Sequence, residues 1–171
     1  AVRYVDGILV KAWTRKGIDK TYCMRMIEDL PKHIIAKGTV EIRGELYGKG
    51  LIPARSQRLA AGHLRKKQPS GMGLSFCAFQ IFDGKGSEVS NLQQLVKWGF
   101  HVCGHIKVNT NVVNKVKQLH SQWQDSLIFS RYPTDGIVVK VLDKDLQDKI
   151  GRTSIAPSWA TAIKDTWRNV Y

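Results

Sequence analysis

The run LSFCAFQIF, Leu74 to Phe82, constrains the fold more than any other stretch of the chain. Its residues are almost continuously apolar, which predicts a strand buried on both faces rather than one alternating between core and water. A chain built around such a strand must supply layers to cover it. The flanking patterns supply them. VRYVDGILVKAWTR reads as a hairpin, two β-rich arms around Asp6-Gly7, a common tight-turn pair. KGTVEIRGELY is a strand with Val40, Ile42 and Leu46 apolar among charged neighbours. Gly48 to Pro69 is basic and loop-like, with a short helical patch at RLAAGHLRKK. EVSNLQQLVKWGF is a helix ended by Gly99, and HVCGHIKV returns as a strand. NVVNKVKQLHSQWQD is the clearest helix, with Val112, Val116, Leu119 and Trp123 on one face. The strand TDGIVVKVL, a helix at DKDLQDKIG and a last segment APSWATAIKDTW follow. Strands and helices mix without a regular βαβ alternation, so the expected class is α+β with largely antiparallel sheets. No internal repeat, linker or low-complexity tract interrupts them, and 171 residues suffice for one domain with a core of its own.

Charge narrows the partners. Lys and Arg number 27 against 14 Asp and Glu, a net charge of +13, and such a surface attracts polyanions, nucleic acid above all. HLRKK, His63 to Lys67, is the densest basic cluster. No run of apolar residues is long enough to span a membrane, and Ala1 to Val10 carries charge and a turn where a signal peptide would be apolar. Cys23, Cys77 and Cys103 are an odd, scattered set. They fit buried thiols in a reducing compartment better than a disulfide framework. The expected location is cytoplasmic.

Within PTDGIVVKV, Pro133 to Val141, a lysine closes a strand of β-branched residues. Lysine is mostly exposed, so the plain reading puts Lys140 on a solvent face. The alternative is an ammonium held in a cleft for a phosphate or carboxylate. A second lysine, Lys164, follows an alternating apolar stretch in SWATAIKDTW. Two cations on neighbouring strands would suit a polyphosphate. Glu45, in VEIRGELY, is a carboxylate in a similar strand context and could accept ribose hydroxyls.

Five segments in order, VEIRGELY, RLAAGHLR, LSFCAFQIF, PTDGIVVKV and GRTSIAPSWATAIK, resemble the adenylation domain of NAD-dependent DNA ligases. The opening YVDGILVKAWTRKG is similar to the hairpin that ends in TRGDG in that family. The resemblance covers almost the whole chain. It implies an α+β, DNA-ligase-type nucleotidyltransferase fold with antiparallel sheets around an adenylate cleft, and the sealing of nicks through enzyme-adenylate and DNA-adenylate intermediates. It implies NAD as adenylate donor, Mg²⁺ as the divalent cation, and nicked double-stranded DNA as substrate. Residue by residue, it matches Glu45 to the ribose contact, Phe79 to the ring against adenine and Arg15 to an arginine near the nucleotide. Lys140 and Lys164 match the lysines at the adenylate phosphate, and Asp135 the acidic residue that opens the fourth motif. Arg58 and Arg65 match two arginines of the family's NPRNAAAGSLR segment, implied to contact DNA, with a one-residue gap at Arg58.

The nucleophilic lysine of that chemistry lies in a KxDG motif in the family. YVDG, Tyr4 to Gly7, is the later hairpin turn instead, since Gly7 stands too close to Thr14. TRKGI stands where the family has TRGDG, and the arginine before the fourth motif has no clear equivalent, Arg131 being displaced. The expectation is therefore a single, N-terminally incomplete adenylation domain over 1–171, without OB-fold, zinc finger or helix-hairpin-helix region. A second chain or segment would bring KxDG and the OB-fold. A split subunit, a fragment and a non-catalytic nucleotide- or DNA-binding relative remain open.

Other constellations are weaker. His101, Cys103 and His105 alternate and could share a strand face, yet structural zinc takes four ligands in two close pairs. A Cys/His hydrolase would need a reactive thiol, and Cys77 and Cys103 sit in apolar strand contexts where thiols are inert. Trp98, Trp123, Trp159 and Trp167 could stack on single strands, but their positions favour packing. No metal site is expected.

Overall fold

The structure, a computed structural model, describes residues 1–153 and 156–164. It divides into two compact units, Ala1–Cys103 and Gly104 onward. The first is built on a five-stranded sheet. Its strands are β1 (Val2–Val5), β2 (Ile8–Ala12), β3 (Thr39–Gly48), β4 (Leu74–Ile81) and β5 (His101–Val102), in the order β2-β1-β3-β4-β5. All pairings are antiparallel except β4 with β5. Helices α1 (Thr21–Arg25), α2 (Pro53–His63) and α3 (Glu88–Lys97) complete the unit.

The hairpin forms as its sequence predicts. Asp6 and Gly7 both adopt positive φ, +45° and +81°, the pair of conformations a two-residue primed turn requires. One face of the sheet carries the core. Val2, Tyr4, Ile42, Leu74, Phe76 and Ala78 point into it, where they meet Ile27 and Leu30 from the connection after α1 and Leu92 and Leu95 from α3. Tyr4 and Phe100 rings meet edge to face at 6.0 Å. The Tyr4 hydroxyl donates to the Pro31 carbonyl at 2.5 Å, and burial pushes its pKa above the ordinary phenol value. β4 is buried from Leu74 through Ala78, on both faces, as its apolar run predicts.

Two expectations are corrected. The helical patch after Gly48 starts and ends earlier than RLAAGHLRKK, running from Pro53, with proline at its first turn, to His63. HVCGHIKV is a strand only at His101–Val102, so the alternation that would align Cys103 and His105 with His101 does not continue.

The second unit holds α4 (Val112–Gln124), β6 (Gly136–Lys140), α5 (Lys144–Ile150) and β7 (Ala160–Lys164). β6 and β7 pair antiparallel as a two-stranded sheet. α4 packs on β6 through its C-terminal half. Leu119 and Trp123 are buried, whereas Val112 at the start of the same stripe is exposed. Asp143 caps α5 by accepting from the Leu146 amide at 2.7 Å.

Candidate active site

In the first unit Glu45 lies on the face of the sheet opposite the core. Alternation along β3 turns Glu41, Arg43, Glu45 and Tyr47 to that face. Glu45 is exposed and pairs in register with Cys77 of β4, which pairs in turn with His101 of β5. Phe79 occupies a special position. The register passes from Gly44↔Ala78 to Arg43↔Gln80, which leaves Phe79 as the extra residue of a β-bulge. Bulges bend a strand and re-aim a side chain, and no residue count along the sequence reveals one. Nearby, Arg3 bonds Glu41 and lies 5.2 Å over the Trp13 ring, while Arg43 lies 4.8 Å over Phe82. Lys11 stands opposite Arg3 on β2, the return arm of the hairpin. Arg15 is exposed at the tip of a tight loop, closed by a bond from the Gly17 amide to the Thr14 carbonyl at 2.9 Å.

One polar node went unread in the sequence. β5 pairs only with Cys77 and Ala78, and Asp29 bonds the two residues of β4 just before them, Ser75 and Phe76. Its carboxylate accepts from the Phe76 amide at 3.3 Å and from the Ser75 hydroxyl. The Lys49 ammonium lies 3.5 Å and His101 Nδ1 3.6 Å from the same group. Ser75 is itself fully buried, so the cluster is a strand-edge clamp and not an exposed nucleophile.

The arginine segment sits on α2. Ser56, Ala60 and His63 form its buried stripe. The Gly48 amide donates to Ser56 Oγ at 2.8 Å, and His63 Nε2 donates to the Cys23 carbonyl at 3.0 Å. The docking turns Arg58 outward, and Arg65 is exposed just past the C-cap, Leu64.

In the second unit the register Gly136↔Lys164 through Lys140↔Ala160 places both lysines on one face of the β6–β7 ladder, at opposite ends. Gly136 lies so close to β7 that a Cβ there would meet the Ile163 carbonyl oxygen at 2.3 Å. Asp135, just before β6, pairs with the Lys164 ammonium at 2.9 Å. Trp123 and Trp98 are packing residues with satisfied indoles, donating to Thr134 Oγ1 at 2.8 Å and to the Ile35 carbonyl at 2.9 Å. Trp159 is half-buried, and Trp167 lies outside the described residues.

The first unit holds an exposed carboxylate suited to a diol and a bulge-borne aromatic ring, and the second, by itself, holds a two-lysine face suited to phosphate. Cys23 and Cys77 are buried, and all three cysteines are free thiols. No helix among the described residues is long and apolar enough to cross a membrane. The family profile described as NAD-dependent DNA ligase adenylation domain matches residues 1–166. A DNA ligase of Thermobifida fusca is 31% identical across 96% of the chain, and one of Fervidobacterium nodosum is 30% identical across 96%. A DNA ligase of Buchnera aphidicola is 28% identical across 94%. The chain spans 26%, 28% and 28% of the length of these three relatives, respectively. A match over nearly every residue, with the motif lysines on one strand pair and the motif glutamate on a polar sheet face, places this chain in the NAD-dependent DNA ligase adenylation domain family.

Proposed function

We propose that this chain is the adenylation part of a ligase that seals nicks in double-stranded DNA, with the nucleophilic KxDG lysine supplied from outside these residues. The observation that carries the proposal is the shared face of Lys140 and Lys164 on the β6–β7 ladder, with Asp135 paired to the second. Cations held on one strand pair suit a phosphate that gains charge in the transition state.

NAD would supply the adenylyl group, and Mg²⁺ would offset charge at the α-phosphate. Among the described residues there is no cluster of three His, Cys, Asp or Glu side chains. The metal would therefore ride mainly on phosphate oxygens and waters, as Mg²⁺ commonly does. Glu45 would accept the ribose hydroxyls, the Phe79 ring would stack on adenine, and Lys140 and Lys164 would hold the phosphate. Arg15 would lie near the nucleotide, while Arg58 and Arg65 would contact the DNA backbone. The attacking amine forms its bond to the α-phosphorus as the bond to the nicotinamide mononucleotide oxygen breaks, which requires in-line alignment. Lys11 is on the return arm of the hairpin, opposite Arg3, and is not the nucleophile. The compartment that fits free thiols and this substrate is the cytoplasm.

The test is intact mass after incubation with NAD, with and without a segment or partner carrying KxDG. An AMP-sized increase only when the segment is supplied is the expected result. An adduct on the isolated chain, mapped to Lys11 or another residue, would sink the proposal. DNA binding without any adduct in either arm would favour a non-catalytic binding subunit instead.

A further inference from the structure

The Asp135–Lys164 ion pair does not hold itself in place. Its two side chains are 58% and 61% exposed, and pairs so open to water contribute little on their own. The backbone that carries Asp135 is fixed from both sides. On one side Gly136 is locked into the ladder directly opposite Lys164. On the other, Thr134 Oγ1 accepts a hydrogen bond from Trp123 Nε1 at 2.8 Å. Trp123 is buried near the end of α4, and its ring lies beside His120 with centroids 5.5 Å apart. An indole N–H can only donate, so the bond has one direction and ties a rigid, buried ring to the strand entrance.

Packing alone does not require that bond. A leucine or phenylalanine would fill the space beneath β6, and the sequence places a hydroxyl and an indole nitrogen within reach of each other instead. We propose that Trp123 is a positioning residue: through Thr134 it sets Asp135 against Lys164 and so orients the ammonium that meets the adenylate phosphate. The phosphate role of Lys164 is the one proposed above, and this inference rests on it.

The test is trace acylation of lysine amines on this chain, read by peptide mass spectrometry and thermal melting. It compares wild type with Trp123→Phe, Thr134→Val, the double variant, Asp135→Asn, and Leu119→Ala as a packing control. Trp123→Phe keeps an aromatic ring and loses the donor, and Thr134→Val keeps the shape and loses the acceptor. Each is expected to raise labelling of Lys164 roughly two- to threefold, the scale set by one exposed ion pair. The double variant should go no further than either single, and Asp135→Asn should reproduce the rise. Lys144 labelling should stay constant, and Leu119→Ala should lower the melting temperature without raising Lys164 labelling. Unchanged Lys164 labelling in Thr134→Val, or an equal rise in Leu119→Ala, overturns the proposal. Thr134→Val decides the matter if Trp123→Phe fails to fold. The readout needs neither NAD nor DNA, so failure of the ligase function leaves it interpretable. Loss of adenylate transfer in Lys164→Ala with flat labelling in Thr134→Val would remove Trp123's role alone.

Discussion

Lys140 and Lys164 stand on one face of the β6–β7 ladder, with four residue steps between the pairs that hold them. That is roughly 13 Å along the strands. Upright side chains so far apart cannot grip one oxygen, and their flexible stems must converge or serve neighbouring groups.

On the phosphate role proposed above, either arrangement calls for both lysines. In a reconstituted enzyme carrying the KxDG segment, Lys140→Ala and Lys164→Ala should each slow adenylate transfer by about 100-fold or more, the scale of losing one preorganised charge contact. Circular dichroism should show the fold intact. Near-normal rates in both variants would mean that the phosphate lies elsewhere.

Binding to nicked duplex should weaken steeply with salt, because lysine and arginine contacts release counterions. Arg58→Ala and Arg65→Ala should each lower affinity more than Lys37→Ala and reduce the log–log salt slope by about one. A salt titration by fluorescence anisotropy measures both, and a flat titration would remove the electrostatic argument.

Asp29→Ala should cost about 1–3 kcal/mol, the range for stranding buried donors. The Phe76 amide and the fully buried Ser75 hydroxyl would lose their acceptor. Urea denaturation should show a lower midpoint at unchanged slope.

Tyr4 ties stability to alkaline pH. Burial raises its folded pKa above the ordinary value of 10.0, so the unfolded chain gives up its phenol proton first. Its contribution is complete below pH 10 and is lost as the pH climbs beyond it. Tyr4→Phe should lower stability at neutral pH by about 1 kcal/mol, since the Pro31 carbonyl loses its donor. It should also remove the Tyr4 part of the alkaline decline, measured by melts from pH 8 to 11.

Local patterns carried much of the architecture. Asp6-Gly7 marked the hairpin, the apolar run marked β4 as a strand covered on both sides, and a run of β-branched residues put Lys140 on a strand. The features that escaped depend on distant partners or on register. Asp29 sits in a loop and meets Ser75, which is 46 residues away, and no periodicity announces such a contact. Phe79 reads as an ordinary strand residue until the β3–β4 pairing shows the bulge. Only that pairing shows Glu45, Cys77 and His101 in one row. The helix at Pro53–His63 lies about one turn N-terminal to the patch RLAAGHLRKK, because its buried stripe is serine, alanine and histidine, which no hydrophobic period reveals.

That stripe has a dynamic consequence. α2 is fastened by the Gly48 amide bonded to Ser56 and by His63 bonded to the Cys23 carbonyl, with Ala60 reaching the core between them. Removing either bond should therefore loosen the arginine-bearing helix ahead of the sheet, which amide hydrogen exchange would show as faster exchange confined to Pro53–His63.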